Sequence, residues 1–161
     1  MGMTQQYNPT YRKLHRMLEK PGGYWLFSKL VCFKAPYFST IKPRFECLEP
    51  GFAKARIRKR RAVCNHLGTV HAIAMANLCE FVGGTLMEIS IPASMRWIPR
   101  GMNIEYLAKA NSDLIASCTI DDYHWSEAQD VHLSVTVDDL NQNRVAHATI
   151  PMYVSHRPEK S

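Results

Sequence analysis

The chain has 161 residues, 46% of them hydrophobic and 21% charged, the make-up of one globular domain able to bury a core without staples. Five cysteines without a CxxC pair and seven histidines without HExxH argue against a disulfide framework and a metal site, and predict buried thiols in a reducing cytoplasm. A net charge of +6 favours anionic partners, and the opening MGMTQQYNPTYRK has neither a secretion-signal h-region nor, with Gln6 where Ser or Thr is wanted, a myristoylation context.

Two helices are predicted first. Thr10 to Glu19 places Tyr11, Leu14, Met17 and Leu18 at mixed helical spacings after an Asn8-Pro9-Thr10 start, and Pro21-Gly22-Gly23 stops it. Tyr24 to about Phe33 is rich in Trp25, Leu26, Phe27, Leu30 and Val31, an aromatic load that predicts a cover over apolar surface. From Pro43 the period changes: Phe45 and Cys47, the Pro50-Gly51 turn, then Phe52 to Ile57 with Lys54, Arg56 and Arg58 alternating outward predict a hairpin. The run KARIRKRR, Lys54 to Arg61, is the densest in charge. It reads either as a strand's wet face entering a basic loop or as a contact for an anion; no zinc finger, helix-turn-helix or aromatic-interleaved strand accompanies it, which argues against nucleic acid.

Residues 65–87, NHLGTVHAIAMANLCEFVGGTLM, organise the rest. Between Thr69 and Met87 the one carboxylate is Glu80, in a run otherwise apolar or neutral. Such a helix belongs in the middle of a fold, and a buried carboxylate there needs a partner or a use. Asn77, Glu80 and Gly83-Gly84 interrupt it too often for a membrane span. Gly68 and Thr69 supply a turn and a capping hydroxyl, so the first free N–H groups, at His71 and Ala72, offer a site for a carbonyl oxygen that becomes negative during reaction. Asn65, just upstream, has an amide able to orient water or a carbonyl. His71 and Glu80 lie nine positions apart, about 13.5 Å along the axis and about 180° around it, so a site using both needs a second, antiparallel copy of the helix.

After this helix, strands are predicted at Met95–Trp97, Met102–Leu107, Leu114–Ile120, Val131–Asp138 and Val145–Val154, with turns at Asn111-Ser112-Asp113 and Asn141-Gln142-Asn143 and a bend or bulge at Pro99-Arg100-Gly101. Two helices, a hairpin, one buried helix and an antiparallel meander make an α+β fold in which the sheet curls around the helix.

Asn65, Gly68 and His71, with Glu80 nine residues on, resemble the motif of hotdog-fold acyl-CoA thioesterases of the phenylacetate-pathway type, Asn-x-x-Gly-x-x-His-Gly-Gly with an acidic residue further down the helix. The resemblance extends, through strand order, over residues 44–155. It implies a single hotdog domain over 1–161, with a helical extension at 1–36 and the core at 37–158. It also implies Asn65 and His71 near the thioester, the Ala72 N–H polarising its carbonyl, and Glu80 of the neighbouring chain as base or nucleophile. Gly68, Thr69 and Ile73 would line the substrate, and Arg58, Arg60 and Arg61 would meet the phosphates of coenzyme A or an acyl carrier protein. Coenzyme A enters only as part of the substrate, with no other cofactor, and the working unit is a homodimer or homotetramer. One departure stands out: Ala72 and Ile73 replace the family's two glycines.

Other chemistries have less to stand on. No serine sits in a GxSxG elbow, no glycine-rich nucleotide loop is present, and a cysteine nucleophile would pair Cys64 or Cys79 with His66 or His71. A hotdog dehydratase or hydratase would present a His-Phe-Pro-Gly type loop before the helix, which is absent. A non-catalytic acyl-CoA or carrier-protein binding module is the remaining rival, favoured by the replaced glycines.

Overall fold

The computed structural model describes residues 9–121 and 125–158; the expected helix start at Asn8 lies outside them. The two N-terminal helices are present as α1 (Pro9–Leu18) and α2 (Gly23–Lys34). The bend between them requires glycine: Gly22 has φ +79°, and a Cβ on Gly23 would sit 1.9 Å from the Met17 carbonyl oxygen.

Strands β1 (Arg44–Glu49) and β2 (Phe52–Ile57) form the predicted hairpin, and α3 (Ala72–Ser90) is the central helix. β3 (Met95–Pro99), β4 (Asn103–Tyr106), β5 (Leu114–Thr119), β6 (Gln129–Asp139) and β7 (Arg144–His156) follow. Their order is β1-β2-β5-β6-β7-β3, all antiparallel, with β4 also on β7. The sheet has seven strands among the described residues and curls around α3, which is the hotdog fold.

The meander expected after the helix holds only for β5 to β7. Asn111-Ser112-Asp113 is not a hairpin turn, because β4 pairs with β7 whereas β5 crosses to sit between β2 and β6. Local turn chemistry could not reveal this: the crossing is fixed by long-range bonds, from Lys59 N to Asp113 Oδ1 (2.9 Å) and from Leu140 N to Ser112 Oγ (3.0 Å). The expected break at Pro99-Arg100-Gly101 does separate β3 from β4, and both lie on one edge of β7.

α3 is long and apolar enough to cross a membrane by composition, yet most of it is buried by the sheet. Leu78, Cys79, Phe81, Val82, Leu86 and Met87 are fully enclosed. At the other margin, α2 covers the β1 edge. Ser28 Oγ donates to Tyr24 O (2.7 Å) and accepts from Phe45 N (2.9 Å), occupying an edge amide that would otherwise be orphaned. Phe27, Phe45, Phe81 and Phe38 form a ring-to-ring series with centroids 5.8, 4.5 and 5.3 Å apart, tying α2 to the central helix. Phe38 belongs to a 3-10 turn, Pro36–Thr40, that the sequence reading did not contain.

Candidate active site

The loop before α3 is closed on itself. Asn65 Oδ1 accepts from the N–H groups of Leu67 (3.0 Å) and Thr69 (3.2 Å), and its Nδ2 donates to Thr69 Oγ1 (2.9 Å). Both ends of the amide are thus engaged in holding the turn, with Gly68 in the left-handed region at φ +76°. Thr69, expected to cap the helix, accepts from Asn65 instead. The loop's exit is pinned by Val70 N to Ala110 O (2.9 Å) and His71 N to Val63 O (2.8 Å).

His71 is itself the N-cap. Its backbone is extended, and its ring Nδ1 accepts from Ile73 N at 3.0 Å. An accepting Nδ1 carries no proton, so the hydrogen-bond network assigns the neutral ring's proton to Nε2, which becomes a donor rather than a base. The His71 carbonyl accepts from Ala74 N (3.0 Å) and Met75 N (3.2 Å). Among the described residues the Ala72 N–H donates to no protein group, which leaves it free at the helix start.

Two adjoining clefts run along the outer stripe of α3. One, of about 180 Å³, holds His71 with Thr40, Cys64 and Ala74; the other, of about 480 Å³, holds Glu80 with Pro36, Phe38, Ala76 and Met102. Tyr37, Ile73 and Asn77 line both. Glu80 is therefore half-buried at a cleft wall, not sealed in the core, and among the described residues it is the one carboxylate lining either cleft. His71 is a cap residue outside the helical dihedrals, so the 100° step behind the expected 180° separation does not fix where its ring lies; the ring lines one cleft and Glu80 the adjoining one. The distance along the axis still applies. Ala72 and Glu80 are eight residues apart, about 12 Å, too far for one reacting carbon to touch both.

Asn77, Tyr37, Phe38 and Met102 line the clefts but were not among the predicted site residues. Asn77, three residues before Glu80 on the same helix face, was legible by spacing; its Nδ2 donates to Thr40 Oγ1 at 3.2 Å. The other three arrive from remote segments.

The arginines separate. Arg58 lines a third cleft, about 980 Å³, with Lys29, Lys42, Arg44, Arg56 and Glu46. Arg60 turns its guanidinium to Thr40 O, on the 3-10 turn beside the Glu80 cleft, and Arg61, exposed, begins a short 3-10 turn with Ala62 and Val63.

Thiol chemistry finds poor ground here. Burial pushes the Cys79 and Cys118 thiols up to about 12, so both stay protonated at neutral pH. Cys64 shares the His71 cleft, but the imidazole nitrogen able to take its proton is already bonded to Ile73 N. Ser134 Oγ lies 2.9 Å from His147 Nε2, in neither cleft and exposed. No group of three or more His, Cys, Asp or Glu side chains gathers to hold a metal among the described residues.

Against known proteins, the family described as a domain of unknown function, DUF4442, matches residues 23–154. A crystal structure from a genomics programme is 41% identical, with a TM-score of 0.78, covering 91% of this chain and 97% of that one. A Pseudomonas aeruginosa protein described as a probable thioesterase is 20% identical, TM-score 0.71, covering 92% and 97%. A Haemophilus influenzae thioesterase is 12% identical, TM-score 0.65, covering 74% and 82%. The last two likenesses are of fold. No curated protein matches in sequence.

Proposed function

The chain belongs to the DUF4442 family, and we propose that it hydrolyses acyl thioesters as a two-fold homodimer. The observation that carries this reading is one helix stripe with two kinds of chemistry: a free Ala72 amide beside the His71 ring donor at its start, and a lone carboxylate in an apolar cleft about 12 Å along. The thioesterase descriptions of the Pseudomonas and Haemophilus proteins of the same fold point the same way.

In this reading the thioester carbonyl oxygen accepts from Ala72 N–H and His71 Nε2–H, which stabilise the negative charge that develops on it. The partner's Glu80 then removes a proton from water as the hydroxide attacks the carbonyl carbon, or attacks directly to form an anhydride that water opens. The carbon–sulfur bond breaks and the thiolate leaves to be protonated. Pro36, Tyr37, Phe38 and Met102 offer an apolar channel for the acyl chain, and Ile73 stands at its mouth, 56% exposed. Gly68, Thr69 and Asn65 act by holding the loop that presents His71. Arg58, Arg60 and Arg61 supply cations for the phosphates of coenzyme A or a carrier protein.

The dimer has support at two places. Antiparallel packing of two helices requires His71 and Glu80 on the same stripe, and the adjoining clefts that hold them, with Tyr37, Ile73 and Asn77 common to both, support that requirement. The β3–β4 edge, with Ile98, Tyr106 and Leu107 about half exposed, has no strand on its outer side among the described residues, as an edge awaiting a second copy would.

The test is thiol release from short, medium, long and aryl acyl-CoAs, followed by subunit mixing. Glu80→Gln and Ala72→Pro homodimers should each be inactive, and random mixing should restore about a quarter of wild-type sites, since half the dimers are mixed and each holds one intact site. Activity in the Glu80→Gln homodimer would overturn the role of Glu80. No recovery on mixing would overturn its action across the dimer. Tight acyl-CoA binding without thiol release would favour the binding-module rival.

A further inference from the structure

We propose that the outward face of α2 docks onto an anionic lipid bilayer. The helix is apolar on both sides. Phe27, Ser28 and Cys32 are buried toward the sheet, whereas Trp25 (52% exposed), Leu26 (44%), Leu30 (49%) and Phe33 (86%) face away from it. At 100° per residue these four span roughly 140° of the helix surface, a contiguous patch and not scattered single residues. Lys29 lies within that arc with its ammonium 5.9 Å from the Trp25 ring, and Lys34 stands at its edge. Tyr37, 67% exposed, continues the surface into the wall of the Glu80 cleft.

Charge selects the occupant. Residues 1–61 hold 14 of the 20 Lys and Arg but 3 of the 14 Asp and Glu, a net +11; the other hundred residues carry a net −5. Around α2 the cations are exposed: Arg12, Lys13, Arg16 and Lys20 on or just after the adjoining α1, and Lys42 and Arg44 in the cleft bordered by Trp25 and Phe33. A second copy meeting this face would set one strongly basic region against another. A negatively charged bilayer complements it: aromatic rings enter the headgroup boundary while lysine stems snorkel to the phosphates. The surface is independent of the thioester reading, though its continuity with the Glu80 cleft would present that cleft to acyl chains at the membrane.

The experiment is vesicle co-sedimentation of the full chain with phosphatidylcholine alone and with about 30% phosphatidylglycerol. Wild type is expected to bind the anionic vesicles at low salt, and to lose most of that binding on neutral vesicles and at high salt. Trp25→Ser/Phe33→Ser should reduce partitioning about tenfold or more with an unchanged thermal midpoint and solution mass, because both side chains lie outside the core. Lys29→Glu/Lys34→Glu, wholly on the surface, gives a second and independent loss. Absence of wild-type binding to anionic vesicles, equal binding to neutral ones, or undiminished binding by both variants would overturn the proposal. So would a smaller solution mass of the Trp25→Ser/Phe33→Ser variant, which would assign the face to a second copy.

Discussion

The two halves of α3 look alike in sequence and behave differently in the fold. From Phe81 to Ile89 the helix is pressed onto the sheet so closely that a Cβ on Gly83 would lie 3.2 Å from Leu133 and 3.3 Å from Ile150, and one on Gly84 3.0 Å from Trp97. From Ala72 to Glu80 the inner side is as well packed, but Ile73, Ala76 and Glu80 form a stripe left partly open to the clefts. The anchored half fixes the helix in place. The open half can then hold a free amide and a carboxylate without the local softening that would blur a site.

That contrast can be broken at either end. The largest effect is expected from Glu80→Gln, which should lower kcat/KM for thioester cleavage by about 10² to 10⁴-fold while leaving the thermal midpoint unchanged. A parallel fall in stability would mean that Glu80 belongs to the anchored half. Next, Gly84→Val drives two methyl groups toward the Trp97 ring and should cost about 1–3 kcal/mol, read as a lower denaturant midpoint with activity per folded molecule retained.

A smaller effect comes from the cap. His71→Ala removes the acceptor for Ile73 N and should cost about 1 kcal/mol; His71→Asn can restore that cap. Recovery of stability without activity in His71→Asn would separate the ring's donor role from its capping role. The mildest probe is pH. The raised Cys79 and Cys118 thiols mean that the folded state holds protons the unfolded chain gives up from about pH 9. Stability should be intact below that value and fall as pH rises toward 12, while both thiols resist alkylation at pH 8 in the native protein. Rapid alkylation of Cys79 would show that the helix opens where its inner side is packed against the sheet.

Much of the architecture could be read from local pattern. Helices, hairpin and strands appear within a few residues of their expected limits because each rests on a short-range signal, such as Pro21-Gly22-Gly23 or the alternation at Leu133, Val135 and Val137. The place of β5 between β2 and β6 could not, since it depends on bonds between segments dozens of residues apart. At the site, Glu80 stood out by being alone. The bonds that Asn65 makes within its own turn were not legible, because they depend on how the loop folds back on its amide. Tyr37 and Met102 were invisible because no local period links them to α3.

The order of residues alone determined that one apolar helix, with Glu80 the one carboxylate between Thr69 and Met87, must lie inside a sheet, since hydrophobic burial and hydrogen-bonding period are properties of neighbours along the chain. Only the tertiary structure decided which stripe of that helix stays open, that His71 caps it with its own ring, and which distant side chains wall the Glu80 cleft. Those outcomes turn on a cap residue's freedom from the helical step and on contacts between remote segments, and neither is written in local sequence.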